Sequence, residues 1–278
     1  MTINFDTEPV PNYMDRSCLA GRVCAVVGGG RGIGRQTLHA LRQAGAEVIC
    51  VDSDMDRAHA VAAEVGGTAL KLDVTTPESV ESIFPEIART HGRLDGVIDI
   101  VGASFGRPVL EMDEEIVAKN FELNLFQAMR VTRAAGASMA KMGGGTIVLI
   151  GSAAGISNLP NQAIYGSAKA ALHHFTRYAA TELGHLGVRV NAVAPGYIRT
   201  ERMVERFAPA IWDEIAQNTP LQRAGYTHDI AAAALFLTSR LSDFITGQVL
   251  VADGGLLNAP RIIRSSSARQ IAGVLVNE

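Results

Sequence analysis

The chain has 278 residues, 47% of them hydrophobic, and a formal charge of -3 from 25 basic and 28 acidic side chains. This apolar content is enough for an α/β core and excludes a disordered protein, and the near-balanced charge leaves no basic footprint for nucleic acid or an anionic membrane. Three scattered cysteines, Cys18, Cys24 and Cys50, fit a reducing cytoplasm rather than a disulfide framework, and the seven histidines show no ligand spacing, so no metal site is expected.

Residues 1–18 hold Asp6, Glu8 and Asp15 and no apolar run, so they read as an arm outside the main fold and not as a secretory signal. Arg22 to Val27 is a short apolar run, as expected for a strand covered on both faces. Glycines follow at once, with Gly28, Gly32 and Gly34 spaced Gly-x-x-x-Gly-x-Gly, and then an amphipathic helix from about Ile33 to Ala44. Glycines between strand and helix allow a tight turn and let a pyrophosphate approach backbone N–H groups, so the context predicts a dinucleotide cradle. The second strand, Glu47 to Asp52, ends in an acid 18 residues beyond Gly34. A carboxylate there accepts bonds from ribose hydroxyls and repels a ribose phosphate. Arg31 pulls toward such a phosphate or is a solvated loop charge; Asp52 weighs more, so NAD is expected over NADP.

Thr68 to Asp73 reads as a third strand, and Asp73-Val74 either meets the adenine edge or caps the turn before Pro77. A helix runs from Pro77 to about His91, a fourth strand from Gly96 to Val101, and a long helical segment from Asp113 to Met142. Thr146 to Ile150 is a fifth strand, followed by Ser152 and a helix carrying Tyr165 and Lys169 that extends to about Leu186. Tyr and Lys four apart share a helix face. The ammonium would favour phenolate and bring a phenol of free pKa about 10 toward neutrality, and Ser152 can hold a substrate oxygen nearby. Val188 to Val193 and Gln248 to Ala252 are the last strands, with Thr227 to Thr238 a helix between them. No run nears the roughly 18 apolar residues of a membrane helix; the longest candidate, Ile230 to Leu237, reads as a buried helix. Alternation of apolar strands and helices predicts an α/β, single-domain doubly wound (Rossmann) fold, a seven-stranded parallel sheet with helices on both faces. The boundaries expected are an arm at 1–18, the dinucleotide-binding domain at 19–255 and an extension at 256–278, whose apolar islands Ile262-Ile263 and 271–276 pack on a neighbouring subunit or form a tail.

From about Leu19 to Gly255 these residues resemble the short-chain dehydrogenase/reductase family. Val27 stands where its cofactor loop has threonine. The resemblance implies an active-site set of Asn124, Ser152, Tyr165 and Lys169, with Ser152 at the family's usual 13 residues before Tyr165. It implies that Gly28, Arg31, Gly32, Ile33, Gly34, Asp52, Asp73, Val74, Gly102 and the run Pro195, Gly196, Ile198 and Thr200 contact the cofactor. Lys169 would also bond the nicotinamide ribose. Asn124 would hold a water on a proton path from Lys169, or simply bond a helix backbone. One departure is plain: the fourth strand of the family usually ends Asn-Asn-Ala-Gly, and this chain has Asp99-Ile100-Val101-Gly102.

The segment from Thr200 to Thr219 breaks the rhythm, and Met203, Phe207, Ile211 and Trp212 recur at helical spacing in it. It reads as a mobile lid over the substrate, or as an ordinary packed helix. Phe105, Leu159 and Tyr197 are further candidate pocket walls beside Met203, Phe207 and Trp212. The expected reaction is NAD(H)-dependent interconversion of a secondary alcohol and a ketone, on an apolar cyclic or aromatic small molecule. No Arg or Lys cluster is obvious to hold a carboxylate. The alternatives are an NADPH-dependent carbonyl or oxoacyl reductase and a non-catalytic nicotinamide-binding sensor or scaffold. The resemblance also implies a homotetramer built through the helices of Asn124 and Tyr165.

Overall fold

A computed structural model describes residues 9–258. Seven parallel strands form one sheet in the order β3-β2-β1-β4-β5-β6-β7. The strands are β1 (Val23–Val27), β2 (Glu47–Asp52), β3 (Thr68–Lys71), β4 (Gly96–Asp99), β5 (Gly145–Ile150), β6 (Val188–Pro195) and β7 (Val249–Ala252). Strand order reverses between β1 and β4, and in open α/β sheets such a switch opens a crevice at the carboxyl ends of the strands.

Alternation along β1 shows how the sheet feeds two cores. Val23, Ala25 and Val27 enter one cluster and Cys24 and Val26 the other. On the first face lie α4 (Pro77–His91), α6 (Gln127–Ala140) and α7 (Ala163–Leu183), contributing Phe84, Val131, Met139 and Leu172. On the second lie α2 (Gly32–Gln43), α3 (Met55–Val65) and α10 (Thr227–Thr238), contributing Leu38, Leu41, Val61, Ile230 and Leu237. Caps fix the helix ends: Asp54 accepts from the Arg57 N–H at the start of α3, and Gly66 closes it in the left-handed region at φ 60°.

Several expectations needed correction. β3 and β4 stop two residues early, so Asp73, Ile100 and Val101 lie in the loops after them. β7 is an edge strand, and among the described residues Leu250 and Val251 on it are partly exposed. The arm is not detached where it is described: α1 (Tyr13–Ser17) is tied down by Arg16, which donates 2.8 Å to the carbonyl of Arg240 and pairs with Asp243. The long helical segment is α5 (Glu114–Phe121) and α6 joined by a π turn at Glu122–Phe126. The expected lid divides into α8 (Glu201–Arg206) and α9 (Pro209–Asn218), because Phe207 and Ala208 are extended and Pro209 opens the second helix. The apolar islands beyond Asn258 lie outside the described residues.

Phe84 is fully buried in the first core. Phe84→Ala is expected to lower stability by about 3–5 kcal/mol, read as an earlier midpoint in urea denaturation.

Candidate active site

The glycine loop is built by close backbone approach. A Cβ on Gly34 would lie 2.1 Å from the Gly28 carbonyl oxygen, which no rotamer change relieves. The Gly28 and Gly29 N–H groups both donate to the Val51 carbonyl, and the Gly30 N–H donates 2.9 Å to Asp52 Oδ2. Asp52 Oδ1 accepts from the Asp54 N–H at 3.0 Å. Asp52 thus ends β2 and also braces the loop that follows β1.

An open cleft of about 380 Å³ runs from this loop along the carboxyl edge of the sheet. Gly28, Arg31, Gly32, Ile33, Asp52, Asp73, Val74, Gly102 and Thr200 line it, as do Arg57 and Arg202. Nine residues named from the sequence therefore share one wall system, and its size, glycine floor and acid at the β2 end fit a dinucleotide. Asp73 Oδ1 also accepts from the Thr75 N–H and hydroxyl, so it braces its own turn. Pro195, Gly196 and Ile198 stand off the cleft at the end of β6, where Ile198 bridges to Gly225 and a Cβ on Gly196 would meet Asp253. Arg57 is engaged by Asp54 at 2.7 Å, whereas Arg31 forms no ion pair among the described residues.

Beyond Gly102 lie the other candidates. Lys169 is 2% exposed, and its Nζ donates 2.7 Å to the Ile150 carbonyl. Asn124, in the π turn, accepts from the Ala103 N–H and donates to the carbonyls of Ala103 and Asn120. Its side chain bonds the backbone of the loop after β4 and of Asn120. A Cβ on Gly102 would stand 2.9 Å from Asn124 Oδ1 and 3.1 Å from Lys169 Nζ, so only glycine lets the cleft wall pass so close to both. The Ser152 hydroxyl accepts from the Ala154 N–H at 3.1 Å.

In the chain without cofactor the Tyr165 phenol is raised, not lowered. Burial pushes the phenol up, the Ser152 side chain pulls it back, and the acting cation is Arg202. The Lys169 ammonium lies over the ring, 5.9 Å from its centroid.

The apolar candidates are spent largely on each other. Trp212 is buried, its ring centroid 5.5 Å from that of Phe207, which is 6.4 Å from Tyr197, and Met203 packs on the same cluster. Phe105 lies under the Lys119 ammonium, and Leu159 is partly exposed. None of these six lines the cleft described above.

Sequence reasoning missed His173, Gln127 and Arg202. His173 Nε2 accepts from the Ser152 N–H at 3.4 Å, and a Cβ on Gly151 would strike the same ring. Its place four residues after Lys169 on one face of α7 was the available signal. Burial, then the charges of Lys169 and Arg177, pushes the imidazole down to about 4, so it is neutral near pH 7.

A family profile described as Enoyl-(Acyl carrier protein) reductase matches residues 27–257. The chain is similar to a 3-oxoacyl-(acyl-carrier-protein) reductase of Bos taurus, 35% identical over 84% of this chain and 98% of the relative. It is similar to 7alpha-hydroxysteroid dehydrogenase of Escherichia coli K12, 32% identical over 87% of this chain and 96% of the relative. A solved structure of 7alpha-hydroxysteroid dehydrogenase complexed with NADH and 7-oxo glycochenodeoxycholic acid superposes with a TM-score of 0.83 at 32% identity, covering 88% of this chain and 98% of that one.

Two outcomes are expected. Gly34→Ala should weaken dinucleotide binding about tenfold or more, read by the change in reduced-nicotinamide fluorescence on titration, because its Cβ collides with backbone. His173 has a folded pKa below its ordinary 6.5, so the stability it contributes is lost as pH falls from about 6.5 to about 4. His173→Gln keeps a neutral acceptor for Ser152 and should flatten that acid-side loss in denaturation midpoints taken across the window. Asp99, raised to about 6, acts there with opposite sign and is common to both proteins.

Proposed function

The chain belongs to the short-chain dehydrogenase/reductase family, and on that premise we propose that it is an NAD(H)-dependent oxidoreductase interconverting a secondary alcohol and a ketone. The observation that carries this reading is the single cleft running from Asp52 and the glycine loop to Gly102, the glycine that packs on both Asn124 and Lys169. Gly28, Gly32 and Gly34 would let the pyrophosphate reach the N-terminus of α2. Asp52 would accept the ribose hydroxyls, with Asp73 and Val74 at the adenine edge. Gly102, Pro195, Gly196, Ile198 and Thr200 would border the nicotinamide half, with Lys169 toward its ribose. When bound, the nicotinamide supplies the hydride acceptor or donor.

The chain's own residues handle the proton and the oxygen. Tyr165 takes the hydroxyl proton in oxidation and returns it in reduction. Its phenol is held up by burial, so it leans toward the proton-donating form until positive charge gathers around it. Ser152 orients the substrate oxygen and stabilises its developing charge, and His173 fixes the backbone of Ser152. Lys169 places positive charge beside the ring, and Asn124 ties the π turn to the loop after β4.

An apolar cyclic or aromatic substrate is favoured by the cluster of Tyr197, Met203, Phe207 and Trp212 at α8 and α9, and by the likeness to a hydroxysteroid dehydrogenase. The second reading, an NADPH-dependent oxoacyl reductase, is favoured by Arg31, which lines the cleft and forms no ion pair among the described residues, and by the bovine relative. The assembly proposed is a homotetramer, supported by apolar side chains exposed on α6 and α7 at Met129 and Tyr178. Free cysteines suit a cytoplasmic location, and no helix among the described residues is long and apolar enough to cross a membrane.

Turnover with NAD and with NADP on a panel of cyclic and aromatic secondary alcohols tests the reading. NAD should be preferred, and Tyr165→Phe should lower kcat by about 10²–10⁴. Turnover with NADP alone would overturn the role given to Asp52. Tight NAD binding with no turnover on any alcohol or ketone would favour a non-catalytic binder.

A further inference from the structure

At the carboxyl end of β4 the chain carries an acid where the resemblance implies an amide, and the reaction above gives it no part. Asp99 is 2% exposed and pairs in register with Val27 of β1 and Leu149 of β5. Its Oδ1 accepts from the Val101 N–H and its Oδ2 from Gln127 Nε2, both at 3.0 Å. Two oxygens facing N–H donors is the environment of an ionised carboxylate. No cation lies within ion-pair distance of it among the described residues; the charge that acts on it is that of Lys169.

Lys169 is equally buried and donates to the carbonyl of Ile150, the residue after Leu149. Its Nζ lies against the backbone of Gly102, three residues beyond Asp99. A buried anion and a buried cation thus occupy neighbouring strand ends. The groups around the ammonium can be named from each side. β5 presents the Ile150 carbonyl, the loop after β4 presents Gly102, and the π turn presents the neutral amide of Asn124. Within α7, the Tyr165 ring lies beneath the ammonium, and His173 feels its charge while remaining neutral near pH 7. Asp99 is the acid acting on Lys169.

We propose that Asp99 is a positioning residue, the buried counter-charge that keeps the Lys169 ammonium protonated beside Tyr165. The inference rests on the part given to Tyr165 and Lys169 in the reaction. Burial alone drives a lysine to release its proton and a carboxylate to take one up. Here burial pushes Lys169 down to about 8 and Asp99 up to about 6, and each charge opposes the other's loss. Between those values both are charged. Gln127 Oε1 is buried with no hydrogen-bond partner among the described residues. An amide at position 99 would keep the two short bonds: with the Gln127 amide turned, Nδ2 donates to that oxygen and Oδ1 still accepts from Val101, at the loss of the 3.4 Å bond from Gln127 Nε2 to the Val101 carbonyl. Asp99→Asn thus removes the charge and one long hydrogen bond.

The test is a carbon-13 NMR titration of the Lys169 ε-carbon in the cofactor-free protein, the resonance being identified by its loss in Lys169→Met. In Asp99→Asn with an otherwise native spectrum, the Lys169 midpoint should fall by about one unit, a tenfold loss of proton affinity. The alkaline limb of kcat should move to lower pH in parallel. A folded Asp99→Asn protein with an unmoved Lys169 midpoint would overturn the proposal. Should Asp99→Asn fail to fold, the reciprocal titration decides: the Asp99 carboxyl carbon should titrate about one unit higher in Lys169→Met than in wild type, and no change there overturns it. Neither titration needs turnover, so their failure is distinct from failure of the oxidoreductase reading, which appears as absent turnover with Lys169 and Asp99 still coupled.

Discussion

The Lys169 ammonium is held out of water at the carboxyl edge of the sheet, and its surroundings organise that edge. A charged amine removed from solvent needs donors' complements and a nearby opposite charge, or it loses its proton. The Ile150 carbonyl at the end of β5 takes one N–H, and Gly102 after β4 brings bare backbone against it. Because Gly102 also abuts Asn124, the π turn that carries Asn124 is locked to the same place. The end of β5, the loop after β4, the π turn and α7 therefore converge on one nitrogen, which lies over the ring of Tyr165.

The other end of the cleft is set by a contact between backbones. Gly34 lies so close under Gly28 that α2 starts immediately beneath the loop, and Asp52 stiffens the loop through Gly30 while facing the cleft. One carboxylate thus shapes the cradle and, in the proposed reaction, selects the ribose. The strand order makes the two ends meet: β1 and β4 are neighbours, so the glycine loop after one and Gly102 after the other face a common space.

Much of this was legible in the sequence where the signal is local. Apolar runs of five or six residues marked the strands, the glycine spacing marked the cradle, and Tyr165 and Lys169 four apart marked a shared helix face. What was not legible depends on distant partners. The hydrogen bond from Lys169 to the carbonyl of Ile150 on β5 and the burial that raises the Tyr165 phenol depend on the packed fold. Phe207 and Trp212 looked like neighbours on one helix, yet an extended step before Pro209 splits them, and they meet across the break. Gln127 is one turn beyond Asn124 and reads as an ordinary helix residue until β4 brings Asp99 to it. The fate of the Asp99 departure could be asked from sequence and answered only by register.

The reaction proposed for this cleft is hydride transfer between a carbinol carbon and a nicotinamide. The most direct measurement uses a secondary alcohol carrying deuterium at the carbinol carbon, incubated with the protein and NAD, with the cofactor analysed by mass spectrometry. Reduced cofactor from wild type should be heavier by one deuterium, and almost none should form with Tyr165→Phe. Bound cofactor that stays oxidised with every alcohol on the panel, or reduced cofactor that carries no label, would contradict the proposed hydride transfer.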